Sequence, residues 1–430
     1  MASNEMMKTL VRSGPDTPTG KLLRRYWVPI LLSSEIAEAD GPQVRVKILG
    51  EKLLAFRDSE GRPGLISEFC SHRGVSLYFG RNEGNGIRCS YHGLKFDILG
   101  NCVDVPQAPQ VCDKMSIKGY PCIERAGMVW AYMGPKEQQP EPPGVEWANL
   151  PPSHVFVSKR LQECNFLQAM EGGIDTSHVS FVHKFEVDDD PFHQGTLANE
   201  YIKKDGNVTF EIERHEGGLT LFGRRMGEPD SYYWRVTQFM FPWFTLIPPF
   251  GDHALGGHVW VPIDDENCWA WSVNFHPAKP LSEDERRHLE QGKGVHCEYE
   301  PGTNVPGGSF RPRQNKDNDY LIDRVAQRER RSFSGVFGFA AQDASLQESM
   351  GPIQDHDAEK LLPSDRAIVM ARRMLYEASV NLDQGTDPPA LAAASQAVRA
   401  AGVLLPRGQK PQEWAKEHLR DATTQPVYTL

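Results

Sequence analysis

Two short segments constrain this chain more than any other part of it: Cys70-Ser71-His72 and, sixteen residues further on, Cys89-Ser90-Tyr91-His92. Each joins one thiolate donor to one imidazole donor within a glycine-rich stretch that holds Gly74, Gly80, Gly84, Gly86, Gly93 and Gly100. Glycine permits tight turns and close backbone approach, which bring amide donors toward ligand sulfurs. A fold that satisfies both pairs must bring two loops face to face. Zinc accepts two cysteines and two histidines tetrahedrally, so a structural zinc site is one reading. A two-iron, two-sulfide cluster, with the cysteines on one iron and the histidines on the other, uses the same ligand set. The spacing favours the cluster, because zinc fingers place their histidines three to five residues apart on a helix, whereas here each loop supplies one Cys and one His.

The rest of the chain reads as a multidomain enzyme. Its 430 residues suffice for two or three domains, and 39% apolar with 24% charged residues is ordinary globular composition. A net charge of -10 disfavours nucleic-acid or anionic-membrane partners. Residues 1–12 lack the apolar stretch of a signal peptide and no run reaches membrane-span length, so a cytoplasmic protein is expected. In a reducing compartment the remaining cysteines, Cys102, Cys112, Cys122, Cys164, Cys268 and Cys297, read mostly as packing residues.

Short apolar runs separated by Gly, Asn, Asp and Pro between Arg45 and Tyr132 predict small antiparallel sheets. Five prolines between Gln139 and Pro152 predict an exposed crossing. Beyond it, Val155 to Leu161, Val208 to Arg214, Tyr232 to Ile247, Gly257 to Pro262 and Cys268 to His276 predict a larger sheet. Helices are expected over Ser282 to Gly292, Gln342 to Met350, Ser364 to Ser379 and Pro389 to Gly402. The class is α+β, divided into an N-terminal segment 1–37, a β-rich cluster domain 38–150 and a catalytic domain 151–430.

A second candidate metal site lies between Asn165 and His183, where His178 and His183 stand five residues apart. On one helix they would lie about 140° apart, so joint ligation requires the helix to end or distort between them. Asp175, three residues before His178, is placed to accept the non-ligating imidazole N–H. Two histidines and a carboxylate form the facial triad of non-haem Fe(II) oxygenases, but the third ligand is open among 57 acidic residues.

Cys70-x-His72-Arg73-Gly74 and Cys89-Ser90-Tyr91-His92-Gly93-Leu94-x-Phe96 resemble the two cluster loops of Rieske non-haem iron aromatic-ring hydroxylating oxygenases, and Asp104-Val105-Pro106-Gln107 resembles their third loop. The resemblance extends over nearly the whole chain. Within it, Asn165 to His183 is most similar to the phthalate 4,5-dioxygenase group, which also contains chlorobenzoate dioxygenases and aromatic O-demethylases. It implies a small β Rieske domain with a [2Fe-2S] cluster and a helix-grip domain with a mononuclear Fe(II). Asp343, in Ala341-Gln342-Asp343-Ala344-Ser345-Leu346-Gln347-Glu348, resembles the ligand of the family's Asp-x4-Glu helix; Asp355 and Asp357 are the rivals, and Glu348 reads as a local hydrogen-bonding group. The resemblance further implies a head-to-tail homotrimer, stacked or not into a hexamer, in which Asp175 bridges His178 and His92 of the partner subunit.

The activity so implied is hydroxylation of an aromatic carboxylate, such as phthalate or a chlorobenzoate, by cis-dihydroxylation or, on the same iron site, by O-demethylation. No dinucleotide fingerprint or plant-type ferredoxin cysteine set is present, so NAD(P)H oxidation is assigned to a separate reductase carrying flavin and its own iron-sulfur cluster. A buried substrate carboxylate needs a cation, and Arg224, Arg225 and Arg235 lie among aromatic strands. Alternation puts Arg235 on the face of Thr237 and Phe239. A plain Rieske electron carrier leaves most of the chain without a task, and a zinc-stabilised binding protein is the other rival. The run Asp188 to Asp190 is expected to be a solvated loop.

Overall fold

The computed structural model describes residues 2–186, 190–249, 254–303 and 308–419, with Ala2 and Ser3 by backbone alone. Two four-stranded antiparallel sheets flank the cysteine loops. One runs Val44–Ile48, Glu51–Arg57, Pro63–Ser67 and Gly119–Tyr120; the other runs Arg81–Asn82, Ile87–Arg88, Lys95–Phe96 and Cys102–Asp104. The strands are short because glycine and asparagine interrupt them, so the region closes a small core of its own. Leu54, Phe56, Ile66, Leu77, Ile87 and Phe96 fill it together with the buried Cys70 and Cys89.

A three-stranded sheet of Trp27–Leu32, Met128–Tyr132 and Cys122–Arg125 leads into the proline-rich stretch. That stretch is only in part the exposed crossing its prolines predict: Gln139, Glu141, Pro142, Pro151 and Pro152 are exposed, but its middle is not. Val145, Trp147 and Ala148 are buried, with the Trp147 ring 5.7 Å from that of Trp130. Aromatic burial outweighs the tendency of proline-rich chain to remain solvated.

The larger sheet has eight antiparallel strands, and its central path starts at Val155–Gln162 and ends at Thr209–His215. The expected run Tyr232 to Ile247 is two strands, Ser231–Met240 and Phe244–Ile247, folded back on each other with Phe239 opposite Thr245. Helices Phe166–Ile174 and Arg366–Leu382 pack on this sheet and on each other, and N-terminal helices Ala2–Leu10 and Pro18–Leu23 pack on Arg366–Leu382. One apolar cluster runs from Leu10 and Trp27 through Trp130 to Trp271 and Leu375.

Helices form near three of the four expected places, as Glu283–Glu290, Phe339–Ser349 and Arg366–Leu382. The fourth, Pro389 to Gly402, does not form. It contains a single 3-10 turn, Ala393–Gln396, and then strand Ala401–Pro406, which pairs with Ser231–Val236. Alanine favours helix locally, but strand pairing and close packing decide here. A Cβ on Gly144 would lie 1.9 Å from the Ala393 carbonyl oxygen, and Arg399 Nε donates to Glu146 Oε2 at 2.7 Å. Among the described residues no helix is long and apolar enough to cross a membrane.

Candidate metal centres and their pocket

The two cysteine loops are built alike. Cys70 N–H donates to the Val75 carbonyl at 2.9 Å and Gly74 N–H to the Cys70 carbonyl at 2.9 Å; Cys89 N–H donates to Leu94 at 2.8 Å and Gly93 N–H to Cys89 at 3.0 Å. Each turn closes through a glycine of positive φ, 70° at Gly74 and 78° at Gly93, which a side chain would strain. The loops face each other, with the rings of His72 and His92 4.5 Å apart between centroids. Burial raises the Cys70 thiol, while the His72 and Arg73 amides favour its thiolate and Cys89 opposes it. His92 Nδ1 is buried and makes no hydrogen bond within the described residues, as suits an atom kept for a metal. Two thiolates and two imidazoles on facing loops fit a [2Fe-2S] cluster.

The third loop closes over them. Arg88 spans it, donating to the Gly93 carbonyl at 2.7 Å and to Asp104 at 2.8 Å. A Cβ on Gly93 would lie 3.1 Å from Pro106 Cγ.

The second centre forms where helix Phe166–Ile174 ends. Asn165 caps its start by accepting from Leu167 N–H at 3.0 Å. Gly172 lets it approach the helix Phe339–Ser349, since a Cβ there would lie 2.1 Å from Gln347 Nε2. The helix stops at Asp175, whose backbone is extended, so Asp175 and His178 do not share a helical face as the three-residue spacing predicts. Asp175 Oδ1 instead accepts from Ser177 N–H and Oγ–H, both at 2.7 Å, and this turn sets Oδ2 3.6 Å from His178 Nδ1. His178 opens a 3-10 turn, His178–Ser180, and His183 follows it. The angular objection to joint ligation is thereby removed.

His178 Nε2 lies 3.2 Å from His183 Nε2, and Asp343 Oδ1 lies 3.6 Å and 3.2 Å from them respectively. Ligands about 2.1 Å from one ion and about 90–120° apart are separated by about 3.0–3.6 Å. The three donors fit one metal and leave its other face open, as a facial triad does. Burial raises the Asp343 carboxyl, but the imidazoles of His183 and His178 together outweigh it and hold the group below the usual range. Asp355 and Asp357 are exposed and elsewhere, and Glu348 accepts from Glu163 N–H at 3.0 Å and from Tyr320.

A cavity of about 80 Å³ opens beside the triad, lined among others by Asp175, Arg235, Thr237, His193 and His258. Arg235 is 2% exposed, and its Nε lies 3.4 Å from Thr176 Oγ1. The other two arginines are not in this lining. Arg224 sits on the opposite sheet face with its guanidinium 4.6 Å above the Tyr232 ring, because strand side chains alternate. Arg225 shares the face of Arg235 but donates to the Asp205 carbonyl at 3.1 Å and Ser180 Oγ at 3.1 Å. Burial and the neighbouring Arg235 push it down to about 10.

Several participants escape sequence reasoning. Gln342 Oε1 accepts from His183 Nδ1 at 2.7 Å, which leaves His183 Nε2 facing His178 and Asp343. Its position beside Asp343 was the only available signal. His193, in the cavity wall, contacts Asp190 at 2.6 Å through Nδ1. Asp190 also accepts from Gly294 N–H at 2.8 Å and is 5% exposed, so it is no solvated loop residue; Asp188 and Asp189 lie outside the described residues. Burial pushes His258 down to about 4, which keeps that imidazole uncharged.

Comparison with known proteins agrees with both halves. Residues 26–121 match the Rieske [2Fe-2S] domain family and residues 131–426 the family described as LigXa C-terminal domain like. The chain is 39% identical to the 3-chlorobenzoate-3,4-dioxygenase oxygenase subunit of Comamonas testosteroni, over 92% of this chain and 93% of that one. It is 36% identical to the phthalate 4,5-dioxygenase oxygenase subunit of Pseudomonas putida, over 90% and 88%. In fold it resembles the terminal oxygenase of carbazole 1,9a-dioxygenase from Nocardioides aromaticivorans IC177, with a TM-score of 0.54 at 20% identity over 87% and 97%. Dicamba monooxygenase gives 0.55 at 16% identity over 85% and 99%. Identity at this level along nine-tenths of the chain places the protein among the Rieske non-haem iron aromatic-ring hydroxylating oxygenases, in the phthalate 4,5-dioxygenase-like group, as an oxygenase subunit with a [2Fe-2S] cluster and a mononuclear iron.

Proposed function

We propose that the protein adds both atoms of dioxygen to the ring of an aromatic carboxylate of the phthalate or chlorobenzoate type, taking electrons from a separate flavin and iron-sulfur reductase that oxidises NAD(P)H. The balance is one arene, one dioxygen, two electrons and two protons giving one cis-dihydrodiol. Cys70, His72, Cys89 and His92 hold the cluster, and His178, His183 and Asp343 hold the iron. When bound, the cluster relays single electrons and the iron provides the site of dioxygen reduction.

The observation that carries the substrate assignment is the buried Arg235 guanidinium in the cavity beside the triad. A guanidinium in a desolvated wall pairs best with a bidentate anion, and Thr176 steadies its Nε. The names of the relatives, which act on chlorobenzoate and phthalate, point the same way. The cavity is smaller than the roughly 150 Å³ that accepts benzene, so a ring enters by displacing wall side chains.

Asp175 bridges His178 and His92 of the partner subunit in a head-to-tail trimer. Support comes from apolar side chains exposed near both centres: Phe69, Phe79, Tyr91 and Val103 on the cluster domain, and Phe181, Leu346 and Met350 near the iron triad. A contiguous exposed apolar patch marks a contact surface, and the Phe181 ring lies 6.0 Å from that of the exposed Phe333. Products from a panel of substituted benzoates and methoxybenzoates test the reading. A cis-dihydrodiol or catechol from a ring acid supports it, and formaldehyde from a methoxy acid without ring oxygenation replaces it with O-demethylation.

A further inference from the structure

Two of the cysteines that serve neither metal centre lie in contact. Cys112 Sγ is 3.2 Å from Cys102 Sγ and 3.0 Å from the Cys102 carbonyl oxygen. Cys102 is buried in strand Cys102–Asp104; Cys112 is partly exposed on the 3-10 turn Pro109–Lys114. The chain between them, 103–111, includes the loop that closes over the cluster ligands. Asp104 ties it to Arg88, Pro106 sits against Gly93, and Ser71 Oγ donates to the Met115 carbonyl just beyond Cys112.

We propose that Cys102 and Cys112 are a reversible oxidation site, at which hydrogen peroxide forms a disulfide that staples the base of this loop. The enzyme's own chemistry supplies the oxidant: two electrons and two protons delivered to dioxygen without transfer to substrate leave hydrogen peroxide. Cys112, on losing its proton, attacks the O–O bond and becomes a sulfenic acid, the departing oxygen leaving with that proton as one water. Cys102 then gives up its proton, its sulfur attacks the Cys112 sulfur, and the sulfenic hydroxyl leaves with that proton as the second water, forming the S–S bond. Two thiols and one peroxide thus give one disulfide and two waters. Cys112 is the more exposed of the two, so peroxide reaches it first and the buried Cys102 is the resolving partner.

A cross-link across so short a segment restrains loop opening, and by the loop-closure relation the open form falls about a hundredfold. The oxidised protein is therefore expected to lose its cluster to a chelator at least about tenfold more slowly than the reduced protein.

Cluster-loaded full-length protein treated with one equivalent of hydrogen peroxide, then alkylated and mapped by mass spectrometry, tests this. The expected first product is a linked Cys102–Cys112 peptide, formed while the visible spectrum of the cluster persists, reversed by dithiothreitol and absent from Cys112→Ser. Oxidised wild type should then resist chelation, and peroxide-treated Cys112→Ser should not. Cluster loss before any disulfide forms, Cys112 recovered as sulfinic acid beside free Cys102, or equal chelation rates for oxidised and reduced wild type would each overturn the proposal.

Discussion

Asp175 Oδ2 faces His178 Nδ1 across 3.6 Å while the opposite edge of that ring, Nε2, points at His183 and Asp343. One imidazole therefore has a carboxylate behind it and the metal donors in front. The carboxylate is fixed by Ser177, and on the proposed reading it acts on the ring and not as a fourth ligand. Asp175→Asn keeps the shape and loses the charge-assisted contact. The expected result is full iron and sulfide content with turnover reduced about 10- to 100-fold. Wild-type turnover in Asp175→Asn removes this role.

The two centres should separate cleanly. His178→Ala, His183→Ala or Asp343→Ala is expected to empty the mononuclear site and leave the cluster's visible absorption unchanged. Gln342→Leu removes the acceptor that orients His183, and iron affinity should fall about 10- to 100-fold with no change in cluster content. Metal analysis of the purified variants checks both; iron retained by Gln342→Leu at wild-type affinity denies Gln342 its orienting role.

Arg235→Ala is expected to raise KM for an aromatic acid about 10- to 100-fold, the equivalent of one charged hydrogen-bonding partner at roughly 1.5–3 kcal/mol. The methyl ester of the same ring should be nearly indifferent. Equal effects on acid and ester rule out recognition of the carboxylate by Arg235. Arg224→Ala, on the far face of the sheet, should leave both KM values unchanged.

Asp190 carries a pH signature. Burial raises its carboxyl, but His193 and the Gly294 and Phe192 amides outweigh that and hold it below its ordinary value. A carboxyl depressed in the folded state stabilises the fold above its unfolded pKa of about 3.9, and the contribution is lost as pH falls through the lower folded value. Asp190→Asn should therefore destabilise the protein at pH 7 by about 1.5–3 kcal/mol, with the gap to wild type closing below about pH 4. Urea unfolding at several pH values measures it, and a gap that stays open well below pH 4 contradicts the assignment.

The cluster loops were the most legible part of the chain, because ligand identity and spacing are local properties written in a few residues. Cys70, His72, Cys89 and His92 needed no knowledge of the fold to be paired. The iron site was half legible. His178 and His183 stood out, but what joins them is the end of a helix and a turn made by the Asp175 side chain, and Asp343 comes from a helix 160 positions beyond His183. Residues that depend on packing left little trace. Gln342, His193 and Asp190 acquire meaning only once three distant segments meet. The same holds for Pro389 to Gly402, whose alanines suggest helix until pairing with Ser231–Val236 makes part of it a strand.

The central claim, that one chain holds a relay and an oxygenating iron serving a ring acid, is tested most directly by a single turnover without any reductase. Protein carrying both metals is reduced chemically, freed of reductant and mixed with phthalate or 3-chlorobenzoate under ¹⁸O₂, and the quenched product is analysed by mass spectrometry. The account predicts a ring-oxygenated product with both new oxygens labelled, formed together with oxidation of the cluster, and abolished by Asp343→Ala. Oxidation of the cluster with hydrogen peroxide as the only product from every ring acid tried would contradict it.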